Sequence, residues 1–155
     1  MPLEIERKFI VRSMDWKKEV KHSYVIAQGY LSTDPERTVR IRLKGDSAYL
    51  TIKGKSHGIS RLELEYEIPV PDAEQALLLC ETQPIRKERF EVEYADEIWE
   101  IDVFEGENAG LVLAEIELLS ETAAFELPPW VGEEVSNDHR YFNAYLSKHP
   151  FSTWE

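Results

Sequence analysis

The stretch Glu4-Ile5-Glu6-Arg7-Lys8-Phe9 decides how the rest of the chain is read. On a strand, successive side chains point to opposite faces. Glu4, Glu6 and Lys8 then share one face, and Ile5 and Phe9 share the other, with Arg7 beside them. A face with two acids and a lysine is either a solvated surface or part of a charged interior. The first choice makes an ordinary sheet protein, the second a sheet turned inside out.

The alternation recurs along the chain. Strands are predicted at 3–11, 26–33, 37–45, 48–55, 60–69, 86–95, 98–104 and 111–119. Turn residues separate several of them, at Thr33-Asp34-Pro35, Lys44-Gly45-Asp46, His57-Gly58 and Gly106 to Gly110. Connections this short favour antiparallel neighbours. Helical patterns are fewer. They lie at 72–83, with Asp72 as N-cap, and at 136–149, with Tyr141, Tyr145 and Leu146 at helical spacing; shorter ones fall near 14–22 and 120–126.

The charged faces are segregated strand by strand. Thr38, Arg40, Arg42 and Lys44 share one face, as do Tyr49, Thr51 and Lys53, and Lys87 and Arg89 with Glu91. The acids gather on Glu63, Glu65 and Glu67 behind Arg61, on Glu100 and Asp102, and on Glu115 and Glu117. The opposite faces are mainly apolar, as in Val39-x-Ile41-x-Leu43 and Trp99-x-Ile101-x-Val103. Antiparallel sheets commonly solvate one face, but solubility alone mixes signs within a strand. The amphipathic helices also need apolar surface to cover. If they take the apolar faces, the charged faces point inward when the sheet closes. The expected fold is therefore α+β: an eight-stranded antiparallel β tunnel, a closed barrel with a charged lumen and helices packed outside. Eight strands leave room for one small ligand. Buried charges of both signs suit a polyphosphate, held by Arg and Lys, together with hard divalent cations, held by carboxylates.

Composition bounds the rest. The chain has 155 residues, 43% of them hydrophobic, which fits a single folded domain spanning 1–155. The net charge of −12 argues against binding nucleic acid or anionic membranes nonspecifically. No apolar run approaches the roughly 20 residues of a membrane span, and the start, MPLEIERKF, lacks the pattern of a signal peptide. One cysteine, Cys80, has no partner within the chain and is read as an inert core thiol. These features predict a cytoplasmic protein.

The ordered set Glu4-x-Glu6-x-Lys8, Gln28-Gly29-Tyr30-Leu31, Arg40-x-Arg42, Thr51-x-Lys53, Glu63-x-Glu65, Lys87-x-Arg89, Asp102 and Glu115-x-Glu117 resembles the signature of the CYTH superfamily, the triphosphate tunnel metalloenzymes. Asp138-x-Arg140-Tyr141-x-Asn143 resembles its end segment, with His139 where a lysine or arginine is expected. The likeness is greatest to the short bacterial members. It implies hydrolysis of a triphosphate with Mg²⁺ or Mn²⁺, two ions, and inorganic tripolyphosphate as the substrate. The alternatives are thiamine triphosphate hydrolysis, a class IV-type adenylate cyclase, and a non-catalytic polyphosphate-binding module.

On this reading Glu4, Glu6, Glu63, Glu65, Asp102, Glu115 and Glu117 are metal ligands or water-orienting groups. Lys8, Arg40, Arg42, Lys53, Lys87 and Arg89 cradle phosphate, with Arg140 joining them and Tyr30 expected near Lys53 at one end of the substrate. Glu6 is the catalytic carboxylate, and Lys8 or Lys87 steadies the leaving pyrophosphate. Glu67, Glu91 and Glu100 lie on the same faces but nearer strand ends or outside the motif. The histidines are scattered and offer no zinc spacing.

Overall fold

A computed structural model describes residues 3–154. Among them run nine strands: β1 (Leu3–Val11), β2 (Val20–Ser32), β3 (Arg37–Lys44), β4 (Ser47–Gly54), β5 (Ser60–Ile68), β6 (Ile85–Tyr94), β7 (Glu97–Phe104), β8 (Val112–Glu117) and β9 (Val131–Glu134). Eight form an antiparallel ring in the order β1-β8-β7-β6-β2-β3-β4-β5. It closes through the pairs Leu3 with Leu62, Glu4 with Arg61 and Ile5 with Ser60. The expected eight-stranded tunnel is the observed fold. The ninth strand is an addition: β9 pairs Phe9 with Glu134 and Val11 with Val131, further along β1.

β2 begins six residues before the predicted start because it serves two neighbours. Val20 to Gln28 pair with β6, and Ile26 to Ser32 pair with β3. The β3–β4 turn uses Gly45 at φ 57°, as its sequence suggested. The β6–β7 turn places Ala95 and Asp96 at φ 50° and 66°, a left-handed pair that Asn-Gly usually fills.

Apolar clusters cover the outside. One joins Phe9, Val92, Trp99, Ile101, Ala114 and Ile116 to Trp16, Leu118 and Trp130, which come from the segments flanking the strands. Trp130 meets Trp99 edge-on at 5.7 Å, so it anchors the loop after Pro128-Pro129. The helix anticipated near 120–126 does not form. The prolines that follow disfavour a helical approach, and Ala123 and Phe125 pack against this cluster. The segment near 14–22 is only a 3₁₀ turn (Asp15–Glu19). On the other flank α1 (Val70–Leu77) packs Ala73 against Ile41 and Ala48. Its N-cap is Pro69 rather than Asp72, since Pro71 is tolerated in a first turn whose N–H groups have no helical partner.

The third cluster lies within the barrel's end. Strand register puts Ile10, Ile85, Phe104 and Leu113 on the lumen side, where they meet Leu111, Val135 and Leu146. Leu146 belongs to α2 (Asn143–Lys148), and Tyr141, Phe151 and Trp154 pack beside it. Helix α1 thus packs outside as expected, while α2 stops one end of the lumen. The helix predicted over 136–149 is broken in two. Asp138 caps a 3₁₀ turn (His139–Tyr141) by accepting from the Arg140 N–H, and Phe142 is extended before α2 begins. No helix among the described residues is long and apolar enough to cross a membrane.

Candidate active site

The lumen holds a cavity of about 220 Å³ whose walls are sorted by charge. Acids come from four adjacent strands: Glu63 and Glu65 on β5, Glu4 and Glu6 on β1, Glu115 and Glu117 on β8, and Glu100 on β7. Bases come from Lys53 on β4, Arg40 and Arg42 on β3, and Lys87 and Arg89 on β6, with Lys8 and Arg61 set among the acids. Period-two alternation on each strand turns these residues inward, and ring order alone gathers the acids on one side.

Ion pairs run along the wall between adjacent and next-adjacent strands. Lys53 Nζ lies 3.0 Å from Glu4 and 3.5 Å from Glu63. Arg40 reaches Glu65 at 3.6 Å and donates to the Thr51 hydroxyl. Lys8 lies 3.5 Å from Glu115 and donates to the Tyr141 carbonyl. Arg89 contacts Glu100 at 3.3 Å and Glu115 at 3.7 Å.

Asp102 differs from the other acids. It is fully buried, and Arg89 donates to both its oxygens at 2.7 and 2.9 Å while Lys87 donates at 2.7 Å. Asp102 was expected among the metal ligands, but both its oxygens are taken up as the counter-ion of two cradle cations and it does not line the cavity. Burial opposes its charge, yet Arg89 and Lys87 hold its pKa far below the usual range. Arg140 is also displaced from its expected place. It is exposed, clamped to Asp138 at 2.6 Å and laid against Tyr141 and Trp154, outside the cavity. Tyr30 is buried, lines the cavity and sits across from Arg40.

The acidic wall carries more negative charge than its partners relieve. Burial, and then Glu115 and Glu4, push the Glu6 carboxyl well above its ordinary pKa. Burial and Glu4 push Glu63 up to about 7. Burial opposes the charge of Glu4, yet Lys53, a hydrogen bond with Glu63 and Arg40 together draw it down to about 2. Burial lowers Lys87 to about 7, with Arg89 and Arg42 adding to it against the pull of Asp102. Among the described residues no three acidic, histidine or cysteine side chains are already gathered as a metal-binding group. The donor chemistry nevertheless fits a hard divalent cation: oxygen ligands only, crowded so that Glu6 and Glu63 are both pushed above their ordinary pKa.

Several lining residues went unassigned from the sequence. Glu100 lines the cavity where its place near a strand end had counted against it, and Arg61 and Thr38 join it. Ser136, Phe142 and Asn143 arrive from the C-terminal segment, where alternation gives no signal. Cys80 is half-buried, its Sγ 3.6 Å from the Ala76 carbonyl, and burial raises its pKa.

Known proteins resemble this chain in sequence and fold. Residues 2–145 match the profile of the family described as the CYTH domain. The inorganic triphosphatase of Acetivibrio thermocellus is 48% identical over 156 residues, covering 100% of this chain and 99% of that protein. The inorganic triphosphatase of Nitrosomonas europaea is 38% identical over 148 residues, covering 93% and 96%. The crystal structure of the inorganic triphosphatase NE1496 superposes with a TM-score of 0.68 at 37% identity, over 95% of each chain.

Proposed function

The chain belongs to the CYTH family, and from that premise we propose that it hydrolyses inorganic tripolyphosphate to pyrophosphate and phosphate with the help of a divalent metal, Mg²⁺ or Mn²⁺, as two ions. The observation that carries the reading is the sorting of charge across one small cavity, with carboxylates on β5, β1, β8 and β7 facing guanidinium and ammonium groups on β4, β3 and β6. A binding module for an anion alone would be weakened by seven carboxylates on its wall.

Glu6, Glu115 and Glu117 would hold the metal, with Glu4, Glu63 and Glu65 within the same wall. When bound, the metal supplies charge neutralisation at the phosphate oxygens and a more acidic water. The protein's own groups do the rest. Arg40, Arg42 and Arg89 present planar donors to phosphate oxygens, and Lys53 and Lys8 add point charges. Held in line, the triphosphate needs positioning and charge stabilisation more than covalent chemistry. Glu6 orients the attacking water. Lys87, lowered to about 7, steadies the bridging oxygen of the leaving pyrophosphate and can give it a proton near neutral pH. The proposed setting is the cytoplasm, in keeping with the free thiol of Cys80.

The test is product identification from tripolyphosphate, thiamine triphosphate and ATP, each with Mg²⁺ or Mn²⁺. Phosphate and pyrophosphate released fastest from tripolyphosphate support the proposal. Cyclic AMP formed from ATP faster than tripolyphosphate is cleaved makes the protein a cyclase. Faster cleavage of thiamine triphosphate keeps the chemistry and changes the substrate.

A further inference from the structure

A polar chain runs from the floor of the lumen to the helix that stops its end. Lys87 Nζ, held 2.7 Å from Asp102, also donates to Asn143 Oδ1 at 3.0 Å. Gln28 Nε2 donates to the same oxygen at 2.8 Å. Gln28 Oε1 in turn accepts from Arg42 Nε at 2.8 Å. Lys87 and Gln28 are fully buried.

The direction of every bond in this chain is determined. Arginine only donates, as does lysine in its ammonium form. Gln28 must therefore turn its oxygen to Arg42 and its nitrogen to Asn143. Asn143 then meets two donors and must present its oxygen to both. Neither amide can flip without setting donor against donor. A carboxylate at position 143 would also accept two bonds, but it would place a negative charge beside a polyanion. An asparagine gives the acceptor without the charge.

From this geometry we infer that Asn143 is a positioning residue for the phosphate cradle: its one oxygen fixes Lys87 directly and Arg42 through Gln28. The inference rests on the triphosphatase reading and extends it to the helix α2. It gives α2 a task beyond stopping the lumen, since one oxygen on its first residue helps to aim two cations on separate strands. The helix is anchored independently, by Leu146 packed against Phe104, Leu113 and Val135. Removing the Asn143 side chain should therefore leave α2 docked and loosen only the cations.

The experiment is steady-state hydrolysis of tripolyphosphate by Asn143→Ala, Gln28→Ala, their double variant, and Asn143→Ala combined with Lys53→Ala, each checked by thermal unfolding. Asn143→Ala and Gln28→Ala should each lower kcat/KM about tenfold, as for lost hydrogen bonds to charged groups. The double variant should be no worse than either alone, to within about twofold, because both break one chain. Lys53 bonds to Glu4 on the other part of the wall, so its loss should multiply with that of Asn143. The unfolding temperature of Asn143→Ala should stay near wild type. An Asn143→Ala enzyme within about twofold of wild type, or full multiplication between Asn143→Ala and Gln28→Ala, overturns the inference. If Asn143→Ala does not fold, Gln28→Ala alone decides, and unchanged kcat/KM overturns it. A wild-type protein that cannot cleave tripolyphosphate overturns the functional reading instead. The same variants then report through calorimetric affinity for tripolyphosphate, where a tenfold loss is again expected and no loss refutes the role of Asn143.

Discussion

Replacing Asp102 by asparagine separates two roles that look alike in the sequence. The carboxylate is fully buried and accepts from Arg89 at 2.7 and 2.9 Å and from Lys87 at 2.7 Å. The amide would keep the shape and one acceptor but leave buried Lys87 without its counter-charge and Arg89 with only Glu100 and Glu115. Removing one partner of a buried ion pair costs about 3–5 kcal/mol. For a chain of this size each kcal/mol lowers the unfolding temperature by about 2–4 °C, so a fall of about 6–20 °C is expected. The assay is thermal unfolding by circular dichroism in EDTA, which keeps metal binding out of the comparison. A metal-ligating Asp102 makes the opposite forecast: with no metal present, losing a charge from a crowded wall relieves repulsion and holds or raises stability. The pH dependence adds a second check. The Asp102 pKa is depressed below its ordinary 3.8, so its stabilisation is present above about pH 4 and is lost only as pH falls through the lower, folded value. The gap between wild type and Asp102→Asn should therefore persist at pH 5. An unfolding temperature in EDTA equal to or above wild type would refute the counter-ion role.

Three further outcomes are expected. Glu117→Gln should lower turnover of tripolyphosphate on the order of a hundredfold with unchanged thermal unfolding, and wild-type activity in the folded variant would remove Glu117 from the site. Gly29→Ala should cost about 1–3 kcal/mol in denaturant unfolding, because a Cβ there would lie 2.8 Å from Cys80 Sγ and 3.2 Å from a Leu77 methyl; the loss should shrink when Cys80 is also changed to Ala, and persistence at full size would show that the cysteine is not the obstacle. Arg140→Ala should leave kcat and KM within about a factor of two, since the side chain is spent on Asp138 outside the cavity; a large rise in KM would mean that it swings in to contact substrate.

Alternation along single strands made the barrel legible. Arg40 and Arg42 could point together only if Ile41 pointed away, and Ile41 does lie under α1. Ring order then turned charges segregated by strand into opposed walls. What the pattern could not reveal depends on contacts between strands or beyond them. Asp102 shares a face with Glu100, yet its register beside Arg89 makes it a buried counter-ion rather than an open ligand. That register is set by the Ala95-Asp96 turn, which has neither glycine nor asparagine to mark it. The strand β9, Val131-Gly132-Glu133-Glu134, is too short to show a period. Residues 136–149 read as one helix because the sequence does not show that Asp138 accepts from the Arg140 backbone, or that Phe142 extends to bring its ring 5.4 Å from Lys8 Nζ. The same break carries Asn143 into the lumen.

The most direct test of the central claim is a crystal structure of the protein with Mn²⁺ and tripolyphosphate, in a Glu6→Gln background to slow turnover, with the metal located by anomalous scattering. The account places the triphosphate inside the barrel, its oxygens on Arg40, Arg42, Lys53, Lys87 and Arg89, and manganese on the wall formed by Glu115, Glu117 and the strands beside them. Triphosphate bound outside the lumen, or manganese bound away from the β5, β1 and β8 carboxylates, would contradict it.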